Sequence, residues 1–126
     1  MLKRKKVLIL DSSKFDRQQL KTTIQTHETL VDIIQAETID QATDVLINQQ
    51  PDIVFLDIMD PPRHSLAFIA LIKDTVEQVR IVVITHNDSP DIRTAALENG
   101  ADRFFAKQHD SSVALVDLIH DIVRRS

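Results

Sequence analysis

Four polar side chains in this sequence each come directly after a short apolar run. They are Asp11, Asp57, Thr85 and Lys107, which follow the runs at residues 7–10, 53–56, 81–84 and 104–106. Asp57 is the candidate reactive group, because open α/β sheets place their chemistry at the carboxyl ends of their strands. The other three residues supply a second carboxylate, a hydroxyl and an ammonium. One polar residue after a strand is expected by chance, whereas four of complementary chemistry predict a site.

The stretch around Asp57 predicts a strand at the centre of a sheet. Residues 53–56 are Ile, Val, Phe and Leu without polar alternation, which is typical of a strand that helices cover on both faces. Pro61 and Pro62 cannot continue a strand or a helix that precedes them. The sequence therefore predicts that the Asp57 carboxylate ends a central strand and faces a loop.

Five strands are predicted to alternate with five helices. This order indicates one parallel sheet with right-handed crossovers and helices on both faces. The second strand, Val31–Ala36, is interrupted by polar residues and is expected at an edge. Because the carboxyl ends of parallel strands share one edge, about 4.8 Å apart from strand to strand, the four polar side chains should converge there.

Local signals mark where several helices begin and end. Ser12 or Ser13 is expected to cap the first helix, and Ser13 with Asp16 resembles a capping box with a short acid. The third helix is predicted after the two prolines, over residues 66–72. Gly100 is the only glycine in the sequence, and its position predicts a left-handed cap after the fourth helix.

Composition limits the class of protein. The chain has 126 residues, 43% of them hydrophobic, which predicts a single domain over residues 1–126. Its net charge of −4 argues against direct nucleic-acid binding, and Lys3–Lys6 is expected to be a solubilising flank. The sequence has no cysteine and no apolar run near the roughly 20 residues that span a bilayer. We therefore expect a soluble, cytoplasmic protein that does not enter a membrane.

The strand-end residues resemble those of the receiver domains of response regulators, from bacterial two-component signalling. That family has an acidic pair after the first strand, a phospho-accepting Asp after the third, Thr or Ser after the fourth and Lys after the fifth. Segments 51–57 and 100–107 are also close to the family form, so the resemblance covers nearly the whole chain. The residues that correspond to the family pattern are Asp11-Ser12, Asp57, Thr85 and Lys107.

The resemblance implies a flavodoxin-like, doubly wound α/β fold with strand order 2-1-3-4-5. It implies that Asp57 attacks a phosphoryl group from a histidine kinase phosphohistidine or from a small acyl phosphate. Phosphoryl transfer depends mainly on positioning and charge stabilisation, and the resemblance assigns Lys107 and Thr85 to phosphoryl oxygens. The protein would gain and lose this group without being an enzyme in any further sense.

A Mg²⁺ ion and a conformational switch are also implied by the resemblance. Mg²⁺ needs oxygen ligands in near-octahedral geometry. Ser12 replaces the second acid of the pair and offers only a hydroxyl, so we expect a lower Mg²⁺ affinity. The switch would couple Thr85, turning toward the phosphoryl group, to inward movement of Phe104. The other ligands implied are Asp11, Asp57 and the main-chain carbonyl of Met59.

The partners implied are a histidine kinase or phosphotransfer protein and an output domain or partner protein. The fourth helix, fifth strand and fifth helix are the expected output surface. A homodimer through the same surface is left open, with Arg93, Asp102 and Arg124 as residues for ion pairs across it, whereas solvated surface charge is the preferred interpretation of these three residues. The sequence stops at Ser126, just after the last helix, and leaves open whether an output domain follows.

Departures from the family pattern leave a different function open. Besides Ser12, His86 stands where the family mostly has a small residue, and Gln108 stands where it usually has proline. Each departure is tolerable alone, and together they leave open a degenerate receiver that binds partners without phosphorylation. Asp60 is a further carboxylate near Asp57, and is expected to be solvated. A third interpretation is a flavin protein or an Asp-nucleophile hydrolase on the same sheet, but one glycine cannot form a glycine-rich phosphate loop.

Overall fold

The computed structural model describes residues 3–87 and 89–126. These residues form five strands that alternate with five helices. In that part of the chain, none of the helices combines the length and hydrophobicity that crossing a bilayer requires. The strands are β1 (Lys5–Leu10), β2 (Val31–Ala36), β3 (Ile53–Leu56), β4 (Arg80–Thr85) and β5 (Arg103–Ala106). The helices are α1 (Lys14–His27), α2 (Ile39–Gln49), α3 (Pro62–Thr75), α4 (Pro90–Glu98) and α5 (Ser112–Arg125).

The sheet has the order β2-β1-β3-β4-β5, and the pairs between neighbouring strands are parallel. This confirms the predicted doubly wound, flavodoxin-like fold and places the half-polar β2 at an edge, as predicted. All four residues of β3 are buried, as expected of a central strand that carries its next residue, Asp57, to the edge of the sheet.

Successive side chains of each strand face opposite sides of the sheet, so the core has two layers. On one side, residues such as Leu8 and Val54 pack in a cluster with buried residues of α2, α3 and α4. On the other side, residues such as Ile9 and Phe55 pack with buried residues of α1 and α5. Helices therefore cover both faces, and the polar strand ends are left at the carboxyl edge.

Helix starts follow the expected chemistry, with one difference. Ser13 is the N-cap of α1, and its side chain accepts a hydrogen bond from the Asp16 N–H at 3.2 Å. The third helix begins at Pro62, four residues before the predicted start at Leu66. That boundary was wrong because proline suits the first helical position, where its missing N–H would have no helical partner. The β3–α3 loop that carries Met59 is correspondingly short.

Gly100 follows α4 with a φ of +119°, which confirms the predicted glycine at the end of this helix. An L side chain rarely adopts that conformation. A Cβ atom on Gly100 would also lie 2.5 Å from Cγ of Lys73 in α3. The glycine thus lets the chain turn sharply from α4 into β5, which leads to Lys107.

Candidate functional site

The parallel register brings the four strand-end residues to one edge of the sheet. Strands β1 and β3 are paired up to their last residues, and so are β4 and β5. The ladder continues one residue beyond the strands, because the Asp57 N–H donates to the Leu10 carbonyl at 2.9 Å. The Lys107 N–H likewise donates to the Thr85 carbonyl at 2.9 Å. Backbone pairing therefore fixes the main-chain positions from which the Asp57 and Lys107 side chains extend.

Asp57 is half-buried at the centre of this edge. Burial raises the pKa of its carboxyl group above the ordinary value, because a charge is poorly solvated there, and the Thr85 hydroxyl and Lys107 ammonium oppose this rise. Its Oδ1 atom is buried and has no hydrogen-bond partner in the described part of the chain. The site thus contains a carboxylate oxygen whose hydrogen-bonding capacity the described residues do not fill.

Lys107 reaches across the edge to two other carboxylates. Its Nζ atom lies 2.8 Å from Oδ2 of Asp11 and 2.9 Å from Oδ2 of Asp16. Burial opposes the charged ammonium, but the hydrogen bonds to Asp11 and Asp16 and the nearby charge of Asp57 raise the pKa of Lys107. Among the ion pairs of the described residues, closer than 4.0 Å, none joins Lys107 to Asp57.

Asp11 is held on both carboxylate oxygens. Its Oδ1 atom accepts a hydrogen bond from the Ser13 N–H at 2.8 Å, while Oδ2 faces Lys107. The Arg17 guanidinium donates to the Asp11 carbonyl at 2.6 Å. Asp11 is 5% exposed, whereas the neighbouring Ser12 is exposed. The loop after β1 thus fixes the predicted carboxylate and leaves the Ser12 residue largely in solvent.

Asp16 is the site residue that the sequence did not reveal. It lies in the first turn of α1, where its N–H bonds to the Ser13 cap and its side chain is directed to Lys107. Partial burial would raise the pKa of Asp16, but the hydrogen bond and charge of Lys107, with a smaller contribution from His86, lower it. The capping pattern was the signal available in the sequence, and it predicted a role at the helix end alone.

A cavity of about 20 Å³ confirms that Asp16 borders the same space as the predicted residues. Its charged lining is formed by Asp11, Asp16, Asp57 and Lys107. A space of this size is large enough for about one water molecule. Four ionisable side chains therefore border one small cavity at the carboxyl edge, and the rest of its lining is apolar.

His86 lies at the outer rim of the site. Its side chain is 55% exposed, and Nε2 lies 3.3 Å from Oδ2 of Asp16. Asp16 thus stands between the imidazole and the Lys107 ammonium. The imidazole of His86 therefore contacts Asp16 and does not fill the buried part of the site.

The predicted switch residues lie on adjacent strands. Thr85 is 1% exposed, and its hydroxyl accepts a hydrogen bond from the Asn87 N–H at 3.1 Å. Phe104 is 8% exposed, with the guanidinium of Arg93 in α4 over its ring. Both side chains therefore point into the protein, one beside Asp57 and one beneath α4.

Two loops complete the edge. The Met59 N–H donates to the hydroxyl of buried Ser65 at 2.9 Å, which ties the β3–α3 loop to α3. After Lys107, the Ala106 N–H donates to the Asp110 carboxylate at 2.8 Å, and the Asp110 N–H donates to the Ala106 carbonyl at 2.9 Å. These bonds close the turn that contains Gln108 in place of the family proline.

The oxygen atoms of this edge suit a magnesium ion. Mg²⁺ is usually bound by one or two carboxylates and keeps several water molecules, and the unpartnered Oδ1 atom of Asp57 is a donor of that kind. The described residues contain no group of three or more His, Cys, Asp or Glu side chains arranged to hold a metal. A metal here would therefore be held by few side chains and by main-chain or water oxygens.

Comparison with known proteins supports the same kind of domain. A family model described as the response regulator receiver domain matches residues 7–120. The chain is similar to response regulator MprA of Mycobacterium sp. (strain KMS), with 29% identity over 102 residues, covering 81% of this chain and 44% of the relative. The chain therefore spans less than half the length of the curated relatives that it matches.

Solved structures share the fold at lower identity. A response regulator from Thermotoga maritima has a TM-score of 0.84 at 20% identity, covering 98% of this chain and 99% of that chain. The Mn²⁺-bound form of response regulator Rcp1 has a TM-score of 0.76 at 20% identity, covering 94% of this chain and 91% of that chain. At these identities the likeness establishes the fold.

Proposed function

Because the chain belongs to the response regulator receiver domain family of two-component signalling, we propose that Asp57 accepts a phosphoryl group. The donor would be a phosphohistidine of a histidine kinase or phosphotransfer protein. The observation that carries this proposal is the convergence of Asp57, Thr85 and Lys107 at one edge of the sheet, fixed by backbone pairing. Asp57 alone of these three carries a nucleophilic carboxylate.

The transfer forms a bond between a carboxylate oxygen of Asp57 and phosphorus while the phosphorus–nitrogen bond to the donor imidazole breaks. Attack requires an ionised carboxylate, and Lys107 and Thr85 provide a cation and a hydroxyl for the phosphoryl oxygens. Bound Mg²⁺ would supply further neutralisation of phosphoryl charge, held by Asp11, Asp57 and the Met59 carbonyl. Each of these residues lies on a strand end or the loop after it, so little rearrangement of the backbone is required.

The phosphorylated domain would change its output surface through Thr85 and Phe104. A covalent group shifts the population of two conformations when it contacts them differently. Thr85 is the last residue of β4 and Phe104 lies on β5, next to α4. We place the output surface on α4, β5 and α5. Family membership supports a cytoplasmic location for the protein, where it would meet its partner.

A homodimer through that surface is a further proposal, and the three charged residues considered for it also make contacts within the chain. Asp102 pairs with Lys73 at 3.0 Å within the chain. Arg93 lies over the Phe104 ring. Arg124 lies 3.5 Å from the buried Oε1 atom of Glu28, the residue that follows α1.

The direct test is phosphoryl uptake by the purified chain. Incubation with Mg²⁺ and phosphoramidate or acetyl phosphate should add one phosphoryl group in the intact mass spectrum. Asp57→Asn, which keeps the side-chain shape, should add none. No adduct on the wild-type protein, or an equal adduct on Asp57→Asn, would exclude phospho-acceptance at this residue.

A receiver that works without phosphorylation is the second candidate. The observation in its favour is that Lys107 pairs with Asp11 and Asp16 and not with Asp57, next to a Ser12 that brings no charge. It predicts no adduct under the same conditions and partner binding that Asp57→Asn leaves unchanged. A stable adduct that alters partner binding would exclude it.

A further inference from the structure

Lys107 is shared between two carboxylates that come from different elements. Asp11 directly follows β1, and Asp16 belongs to the first turn of α1, 91 residues before Lys107 in sequence. Both distances, 2.8 and 2.9 Å, are those of charge-assisted hydrogen bonds. Lys107 therefore starts from a position in which its charge is balanced by carboxylates other than Asp57.

The geometry of α1 explains why Asp16 is available for this contact. In a capping box the acid at this position reaches back to the N–H of the cap residue. Here the Ser13 N–H already donates to Asp11 Oδ1, and an aspartate side chain is shorter than the usual glutamate. The Asp16 carboxylate is thus free to reach Lys107, which lies over the start of the helix.

The two carboxylates differ in how readily they can release the ammonium. The side chain of Asp11 is 7% exposed, and its other oxygen is fixed by the Ser13 N–H. The side chain of Asp16 is 22% exposed and contacts His86, which is itself exposed. Losing the Lys107 contact would leave Asp16 accessible to water, whereas it would leave Asp11 with a buried charge.

We propose that Asp16 is a positioning residue that holds the Lys107 ammonium away from Asp57 in the unphosphorylated domain and releases it once Asp57 carries a phosphoryl group. An ammonium has three donors, so Lys107 can keep Asp11 while a phosphoryl oxygen replaces Asp16. The released acid then faces water and His86. The release step rests on the proposed function. The contact between Asp16 and Lys107 concerns the resting domain alone.

Phosphorylation kinetics test the restraint. With phosphoramidate and Mg²⁺, Asp16→Asn should be phosphorylated roughly fivefold to tenfold faster than wild type, since one charge-assisted bond to Lys107 is weakened. Asp16→Glu, which keeps the charge, should return most of the way to the wild-type rate. Asp60→Asn removes a similar charge from an exposed loop residue near Asp57, and should stay within about twofold of wild type. An unchanged or slower Asp16→Asn would overturn the proposal.

A double-mutant cycle separates positioning from a general charge effect. In a Lys107→Met background there is no ammonium to restrain, so adding Asp16→Asn should change the phosphorylation rate by less than about twofold. An acceleration of the same size in both backgrounds would show that Asp16 acts on the donor or the metal, and would overturn the role assigned to it.

The resting domain provides a readout that does not depend on phosphorylation. Nuclear magnetic resonance of ¹⁵N-labelled lysine should show Lys107 ammonium protons that exchange slowly with water in wild type and in Asp16→Glu, and several-fold faster in Asp16→Asn. Equal exchange in all three proteins would refute the resting contact. If wild type takes up no phosphoryl group but the exchange result holds, the proposed function fails and the release step fails with it, while the resting contact stands.

Discussion

The guanidinium carbon of Arg93 lies 5.3 Å from the centroid of the Phe104 ring. This distance is within the range of a cation–π interaction. It joins the first half of α4 to the strand that directly precedes Lys107, because Phe104 lies on β5. The ring proposed as part of the switch is therefore covered by a cation from the neighbouring helix, on the surface proposed for output.

Arg93→Ala should loosen the Phe104 ring. Loss of the interaction is expected to lower the free energy of unfolding by about 0.5–1 kcal/mol, and to broaden or shift the ring resonances of Phe104 in NMR spectra. Arg93→Lys keeps a cation and should show a smaller change. An unaltered Phe104 spectrum in Arg93→Ala would show that packing under α4 alone holds the ring.

Phe15 should contribute to docking of a protein donor. It is 68% exposed and lines a groove of about 640 Å³ between α1 and α5, together with His86 and Lys107. Large apolar anchors carry much of the binding energy of an interface. Phe15→Ala should therefore slow transfer from a phosphorylated histidine phosphotransfer protein roughly tenfold, while the rate with phosphoramidate stays unchanged.

Ile47 provides the matched control for Phe15. It has the same 68% exposure, but it lies on α2 and lines a different groove. Ile47→Ala should leave transfer from the protein donor within about twofold of wild type. Equal losses in both variants, or a loss with phosphoramidate as well, would contradict docking at the α1–α5 groove.

The strand-end residues were predictable because their placement depends on local patterns. Asp57 follows four apolar residues, and parallel pairing brings every such strand end to the same edge. Asp16 was not predictable in this way, since its role depends on Lys107 reaching α1 from β5, across 91 residues of sequence. The start of α3 was missed for a simpler reason: Pro62 was treated as a barrier, although proline is favoured at the first helical position.

Ser12→Asp should increase the affinity for Mg²⁺. The substitution restores a second acid after β1, beside Asp11, and added carboxylate charge strengthens sites for hard divalent cations. We expect roughly tenfold tighter binding, measured by isothermal titration calorimetry because the chain contains no tryptophan to report binding. Ser12→Asn has similar size without the charge and should change the affinity little. Equal affinities in the two variants would place the metal away from residue 12.

The stability of the protein should depend on the ionisation of Asp57. Its pKa is raised by burial from the ordinary 3.8, so the folded chain binds more protons than the unfolded chain between the two values. The free energy of unfolding therefore falls as pH rises through that window. At pH 7 Asp57→Asn should be more stable than wild type by about 1 kcal/mol, and this difference should shrink as the pH is lowered toward 4, measured by urea denaturation.

Asp16, in the same site, should make the free energy of unfolding depend on pH in the opposite direction. The bond and charge of Lys107 lower the pKa of Asp16 although partial burial acts against them, so its contribution to stability is present above 3.8 and is lost as pH falls through the lowered value. Asp16→Asn should therefore be less stable than wild type at pH 7 and approach it in acid. A less stable Asp57→Asn at pH 7 would contradict the cost of buried charge at Asp57, and a more stable Asp16→Asn would contradict the contribution of the Asp16–Lys107 pair.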